Sequence, residues 1–347
     1  MVRGALVGCG DIVSETHMPA WQAIPDVRLE AVCDTDSERR TAFASKYKLM
    51  ERSYSTIHNL LEQMPDLDFV TIATPGFTHY ELCRVAIDAG VHVLVEKPLS
   101  LSLAHALDLQ VRAQKQGVKV CVAHTFRFRD PVLRAREACE QGLVGQIYQV
   151  NVVHHGESLF HASEPAWRYK EQENKVLLYE LAIHFLDLQV YFAGPVREIH
   201  FLKTDYNHHL KANMRVYALV EHTSGAVGIV DYQVFASSNF TNLEIFGTAN
   251  DIRIKFFPHY YRLYSGRVNP LDELYYDFLR IKDFILPTLM GKLRRTMVPQ
   301  SVLSHYRLFR QFIDSLRSDS VPVPVSIEST LPTMEYLELL GAKLYGN

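Results

Sequence analysis

Three groups of side chains in this chain have types and spacings that could do chemistry. Glu96-Lys97-Pro98 closes a short apolar run. An ammonium held there can donate to a developing alkoxide, and it becomes a base only if its pKa is brought down from about 10.4. Glu180, His184, Asp187 and Tyr191 follow one another at spacings of four, three and four. Those spacings stack them on one face of a helix, with Leu181, Phe185 and Leu188 on an apolar face. An imidazole between carboxylates suits proton transfer, although a purely structural hydrogen-bonded stripe has the same spacing. The third group is Gly8-Cys9-Gly10-Asp11-Ile12-Val13. Its glycines allow a tight turn and a close backbone approach to a pyrophosphate. Val13 stands where a third glycine would complete the fingerprint, so any tight strand-to-helix turn remains an alternative.

Each group needs an element to hold it. Residues 4–7 read as an apolar strand feeding the glycine turn, and 14–24 as a helix interrupted by Pro19. Residues 27–33 form a second strand ending at Asp34, about 24 residues past Gly10. A carboxylate there accepts adenosine ribose hydroxyls and repels a 2′-phosphate, which favours NAD. Arg39 and Arg40 keep NADP open, and a helix cap is the competing role for Asp34. Helices at 37–48 and 55–63 lead to a strand at 67–73, then Thr74-Pro75-Gly76 and His79. A helix at 80–89 stops at Gly90, and the strand at 91–95 runs into Glu96. Pro98 keeps Lys97 out of the helical region, and a helix at 103–116 and a strand at 118–123 follow. Strands alternating with helices predict a doubly wound parallel sheet, whose carboxyl edge is where ligands bind.

From residue 146 the pattern changes to strands at 146–154, 196–204, 214–222, 226–235, 243–247 and 252–256. Thr223-Ser224-Gly225 and Ala249-Asn250-Asp251 supply hairpin turns, so an open, mostly antiparallel sheet is expected. Two domains suit 347 residues. A net charge of -3 gives a nucleic-acid partner no basic face, and no apolar run reaches the roughly 18 residues of a membrane span. The chain enters a strand at once, leaving no room for a signal peptide, and its five cysteines lack Cys-x-x-Cys spacing. A reduced, cytoplasmic protein is expected.

In order along the chain, these pieces resemble the Gfo/Idh/MocA oxidoreductases, which include inositol, glucose-fructose and other sugar dehydrogenases. The matching residues are Gly8-Cys9-Gly10-Asp11-Ile12 with His17-Met18-Pro19-Ala20, Thr74-Pro75 with His79, and Glu96-Lys97-Pro98-Leu99-Ser100. Phe126-Arg127-Phe128 with Pro131, Gly142-Leu143-Val144-Gly145-Gln146-Ile147, Trp167-Arg168, and His184 with Asp187 continue the match. The resemblance implies an N-terminal Rossmann domain over 1–123 and a C-terminal α+β domain over 124–347 for substrate binding and oligomerisation. It implies NAD, with NADP open, held by Gly8, Gly10, Asp11, Ile12, Asp34, Thr74, Pro75, His79, Glu96, Lys97, Trp167 and Arg168. A sugar-like substrate would meet Lys97, Arg127, His155, Asp187 and His184, and the protein would form dimers or tetramers. No metal is implied. His154, His155, Glu157 and His161 fit no compact ligand motif and are expected to line the cleft. The segment 257–299, rich in tyrosine and then basic, is expected to be an added helix or subunit contact, with a membrane surface as the alternative. Helices at 301–318 and 331–345 are expected to return toward the first domain.

Three departures stand out: Glu180 replaces the family's aspartate, Ala182 a glycine, and Asn174-Lys175-Val176 a glycine triplet. The implied activity is hydride transfer between the nicotinamide and a secondary alcohol or ketone of a sugar, cyclitol or sugar derivative. His184 would be the base, Lys97 the alkoxide's donor or proton relay, and Glu180 the orienting group, which requires Lys97 and His184 to share one pocket. NAD-assisted glycoside cleavage without net redox, and a non-catalytic sugar or dinucleotide sensor, are the alternatives.

Overall fold

In a computed structural model that describes residues 1–156, 177–207, 212–234, 240–256, 259–265, 278 and 299–345, β1 (Val2–Val7), β2 (Val27–Cys33), β3 (Ser53–Tyr54), β4 (Phe69–Ile72), β5 (His92–Val95) and β6 (Val120–Val122) make one sheet. Their order is β3-β2-β1-β4-β5-β6 and every pair is parallel. A parallel sheet covered on both faces needs strands that are apolar throughout, and all four residues of β4 are buried. Between the strands run α1 (Met18–Gln22), α2 (Ser37–Lys46), α3 (Ile57–Gln63), α4 (His79–Asp88) and α5 (Leu103–Gln116). Asp36, Thr56 and Ser102 cap α2, α3 and α5 by accepting from the N–H three residues on. The short β3 was not foreseen from sequence.

Among the described residues four more helices follow: α6 (Asp130–Glu140), α7 (Ile183–Ala193), α8 (Gln300–Arg317) and α9 (Ile327–Tyr345). The chain divides into one unit of Met1–Phe128 with Gln300–Met334 and another of Arg129–Pro299 with Glu335–Asn347. The contiguous spans 1–123 and 124–347 therefore differ from the compact units. The reason is apolar: Phe309 of α8 stacks on Trp21 at 4.3 Å, and Phe312 meets Phe69 edge-on at 5.9 Å. Trp21 and Phe69, both buried, thus use α8 as part of their cover.

The second unit is built on β7 (Ile147–His155), β8 (Val196–Asn207), β9 (Ala212–His222), β10 (Val227–Gln233), β11 (Phe240–Gly247), β12 (Asn250–Phe256) and β13 (His259–Ser265). The order is β13-β12-β11-β7-β10-β9-β8, antiparallel except for the parallel pair β7 and β10. The open, mostly antiparallel sheet expected from the hairpin signals is present. β13 is an addition: it pairs with β12, so residues 259–265 of segment 257–299 are strand, not helix. Of that segment, residues 257–258, 266–277 and 279–298 lie outside the described residues.

One buried side chain ties α7 to this sheet. Gln189 is fully buried, and its amide donates to the carbonyls of Val150 at 2.9 Å and Ile229 at 3.2 Å. Its oxygen accepts from the Tyr336 hydroxyl at 3.1 Å. Gly228 makes the room, since a Cβ there would lie 2.7 Å from the Gln189 amide nitrogen. Gly228→Ala should displace Gln189 and lower stability by about 2–4 kcal/mol, combining overpacking with lost buried hydrogen bonds. Urea unfolding followed by circular dichroism measures this, with Gly10→Ala, uncrowded and outside the left-handed region, as the comparison.

Candidate cofactor and catalytic residues

β1 ends in Gly8, whose φ is +100° and whose Cβ, if present, would lie 2.4 Å from the Ala73 carbonyl oxygen. Only glycine lets the turn close against the end of β4. Gly10 differs: no atom lies within 4 Å of its virtual Cβ, so the backbone there borders open space. The helix beyond it starts with a π turn (Val13–His17) that no side chain caps. An uncapped helix start behind an unobstructed glycine fits a pyrophosphate. Asp11 and Ile12 are exposed on this turn, Ile12 by 43%.

Asp34 sits beside the turn. Its carboxylate accepts the N–H of Cys9 at 2.8 Å and of Asp36 at 2.9 Å. Asp36, not Asp34, caps α2, so the capping alternative does not apply. Two oxygens with one donor each retain lone pairs for ribose hydroxyls. Arg39 lies 3.9 Å from this carboxylate, and Arg40 donates to the Asp34 carbonyl at 2.5 Å. The residues present thus fit an adenine dinucleotide. Burial pushes the Cys9 and Cys33 thiols up to about 12, so neither is a nucleophile at neutral pH.

On the next strand ends the rim is bound together by an imidazole. His79, 1% exposed, pairs through Nδ1 with the Pro98 carbonyl at 2.6 Å and through Nε2 with the Thr74 carbonyl at 2.8 Å. Thr74 also shares a 2.6 Å hydroxyl hydrogen bond with Thr78, whose own hydroxyl donates to the Pro75 carbonyl. His79 therefore braces the loops after β4 and β5 from inside. The Lys97-Pro98 peptide is cis, and Lys97 is partly exposed. Glu96, which leaves β5 just before it, faces His17 at 2.8 Å and His305 at 3.4 Å. Burial pushes the Glu96 carboxyl up, but hydrogen bonds and charge interaction with the two histidines outweigh it and hold the group well below the usual carboxylate range. Arg127, 7% exposed, donates to the Ser329 carbonyl at 3.3 Å, which ties its turn to α9.

In the second unit the polar stripe rides on two helix types. Glu180 lies on a π turn (Leu177–Ala182), and His184 and Asp187 lie on α7. Glu180 and His184 are partly exposed and Asp187 is buried. Reading the stripe at 3.6 residues per turn missed the wider turn beneath Glu180. His154 and His155 part company because strand residues alternate. His154 stacks on Phe185 of α7 at 5.0 Å and on Tyr232 at 4.6 Å, and pairs with the Thr241 hydroxyl at 2.8 Å. It is only partly exposed and packs against these aromatic side chains. His155 points to the other face, where it meets Asp231 at 2.9 Å and Gln233 at 3.1 Å. His155, expected to meet substrate, thus lies on the face of β7 away from α7.

Trp167, Arg168, Glu157, His161 and Asn174-Lys175-Val176 lie outside the described residues. Sequence reasoning missed three participants: His17, His305 and Gln189. His17 sat in a matched piece, His17-Met18-Pro19-Ala20, but nothing local to His305 marks it.

Comparison with known proteins adds the family. Residues 2–124 match a family model described as an oxidoreductase family with an NAD-binding Rossmann fold. Residues 132–253 match the corresponding Gfo/Idh/MocA C-terminal domain. The chain is 29% identical to a D-apiose dehydrogenase from Paraburkholderia graminis over 66% of this chain and 60% of that protein. It thus spans less than two thirds of that relative's length. It is 25% identical to the uncharacterized oxidoreductase YdgJ of Escherichia coli over 97% of this chain and 95% of that one. Its fold matches the WlbA dehydrogenase from Chromobacterium violaceum, solved with NADH and UDP-GlcNAcA, with a TM-score of 0.78. That match has 21% identity and covers 99% of this chain and 94% of the other.

Two outcomes are expected from this geometry. Asp34→Ala should weaken NADH binding about tenfold and narrow the preference over NADPH, as fluorescence titration with each cofactor will measure. Burial draws the His154 pKa down to about 4, so the unfolded chain binds its proton first. That contribution to stability is complete above about pH 6.5 and is lost as pH falls toward about 4. Urea midpoints recorded from pH 7 to 4 should fall, and His154→Phe should flatten the slope.

Proposed function

We propose that this chain, which belongs to the Gfo/Idh/MocA family of oxidoreductases, uses NAD to interconvert a secondary alcohol and a ketone on a sugar, cyclitol or sugar derivative. The observation that carries the reading is at one sheet edge. The Gly8-x-Gly10 turn leaves β1, and Glu96-Lys97-Pro98 leaves β5, two strands away in the order β1-β4-β5. A dinucleotide fixed at the first would have an ammonium on the same rim.

When bound, NAD supplies a hydride acceptor at nicotinamide C4, and NADH the corresponding donor. Gly8 and Gly10 admit the diphosphate, and Asp34 accepts from the adenosine ribose. Thr74 and Pro75, on loops braced by His79, border the rest of the dinucleotide. Lys97 donates to the substrate oxygen and stabilises it as its proton leaves. Within the second unit His184 is the candidate proton acceptor, Glu180 the carboxylate that would orient it, and Asp187 the candidate for substrate hydroxyls. Arg127 already serves the Ser329 carbonyl and is assigned support of its turn.

The similarity to a D-apiose dehydrogenase supports a polyhydroxylated substrate. One face of the second sheet exposes Phe201, Leu219 and Ile229 on neighbouring strands, which suits pairing with a second copy. The free cysteines suit a reducing, cytoplasmic setting.

The test is purified protein with NAD and a panel of free and nucleotide-linked sugars and cyclitols, followed at the absorbance of NADH. At least one member should reduce NAD, and Lys97→Met should cut kcat by about 10²–10³ while NADH binding stays within a few-fold. Undiminished turnover in Lys97→Met, or no turnover of any member while NADH binds normally, would overturn the reading.

A further inference from the structure

Glu96 has more partners than an ordinary loop carboxylate. Its Oε1 receives His17 Nε2 at 2.8 Å and faces His305 Nε2 at 3.4 Å, and its Oε2 accepts the Lys97 backbone N–H at 3.2 Å. Its side chain is 12% exposed, against 0% for His17 and 7% for His305. The two imidazoles lie 5.1 Å apart over Phe309, which meets both edge-on. His305 comes from the first turns of α8, about 200 residues farther along the chain than Glu96. Its Nδ1 pairs with the Ser301 carbonyl at 2.7 Å, which sets the ring's rotation and turns Nε2 toward the carboxylate.

The segment is also held on its far side, where His79 pairs with the Pro98 carbonyl at 2.6 Å. Lys97 is thus the residue between two anchors, a side chain at position 96 and a carbonyl at position 98. A loop whose only task was to connect β5 to α5 could be held by apolar side chains. Removing a carboxylate from water costs several kcal/mol unless hydrogen bonds replace the water, so the arrangement has a price that simple connection does not require.

We infer that His305 is a positioning residue for Lys97: acting through Glu96, it fixes the backbone from which the ammonium is presented. The inference rests on the reading of Lys97 as the substrate's hydrogen-bond donor only for its catalytic meaning, since the positioning itself is measurable without turnover. His17 is the second support, on the same carboxylate oxygen. α8 is then part of the Lys97 site, although it lies outside residues 2–124 that match the NAD-binding family model.

The test uses the full chain with His305→Leu, His305→Gln and Glu96→Gln. The first readout is acetylation of Lys97 under limiting N-hydroxysuccinimide acetate, quantified by peptide mass spectrometry against Lys115, an exposed lysine on α5. The second is NADH affinity by fluorescence, and the third is kcat and KM on any sugar turned over by the parent protein. His305→Leu should raise the Lys97-to-Lys115 ratio at least threefold and leave NADH affinity within twofold. Where a substrate is known, it should lower kcat about tenfold with little change in the KM for NAD. His305→Gln, which keeps an N–H donor, should recover much of the parent ratio, and Glu96→Gln should reproduce the leucine variant if that one does not fold. A changed ratio with no sugar turned over would uphold the positioning role and remove the hydride-transfer reading alone. An unchanged ratio in His305→Leu and Glu96→Gln, or a glutamine variant as altered as the leucine one, would overturn it. So would zinc copurifying with the parent protein and lost from His305→Leu, which would make the cluster a metal site.

Discussion

A carboxylate withdrawn from water must be met by donors, and at Glu96 that requirement organises the rim of the first unit. Each partner arrives from a different part of the chain: His17 on the helix after the glycine turn, Lys97 through its own backbone, and His305 on α8. The π turn between Gly10 and α1 belongs to this constraint, because it ends at His17. The same short stretch thus leaves its amino end uncapped for an anion and delivers an imidazole to the carboxylate behind Lys97. The candidate anion site and the support of Glu96 share one helix.

The second unit meets a parallel problem with a neutral group. Gln189 reaches two carbonyls on β7 and β10 and accepts from Tyr336, so the helix carrying His184 and Asp187 is pinned to the sheet by an amide. A carboxylate in that place would face two carbonyl oxygens with no proton to offer. In each unit the candidate chemical side chain is exposed in part, and the group that fixes its support is buried.

What could be read from sequence followed the regularity of the pattern. Period and turn signals were enough for the parallel sheet, because apolar strands such as Phe69–Ile72 alternate with capped helices. Asp34 could be placed because its distance from Gly10 is set by one strand-helix-strand unit. Strand β3, two residues long, carries too little pattern to register. The parallel pairing of β7 with β10 is set by strands distant in sequence, where hairpin signals say nothing. Which of the adjacent His154 and His155 would face α7 was not legible, because only strand register decides between them. His305 was invisible for a deeper reason: its partner is a carboxylate brought to it by the fold, and its own neighbours form an ordinary amphipathic helix.

The division of the first unit along the chain bears on how the protein is made. Trp21 and Phe69 emerge from the ribosome early, but Phe309 and Phe312, which cover them, follow about 180 residues after Phe128. At ~5–20 residues per second, the nascent parallel sheet waits roughly 10–35 s with part of its aromatic surface uncovered. During that interval the intervening unit must be synthesised from an unfinished neighbour, and the exposed aromatic patch is one that chaperones would be expected to shield. The order of translation thus leaves the earliest-written part of the molecule unfinished until most of the second unit has been made.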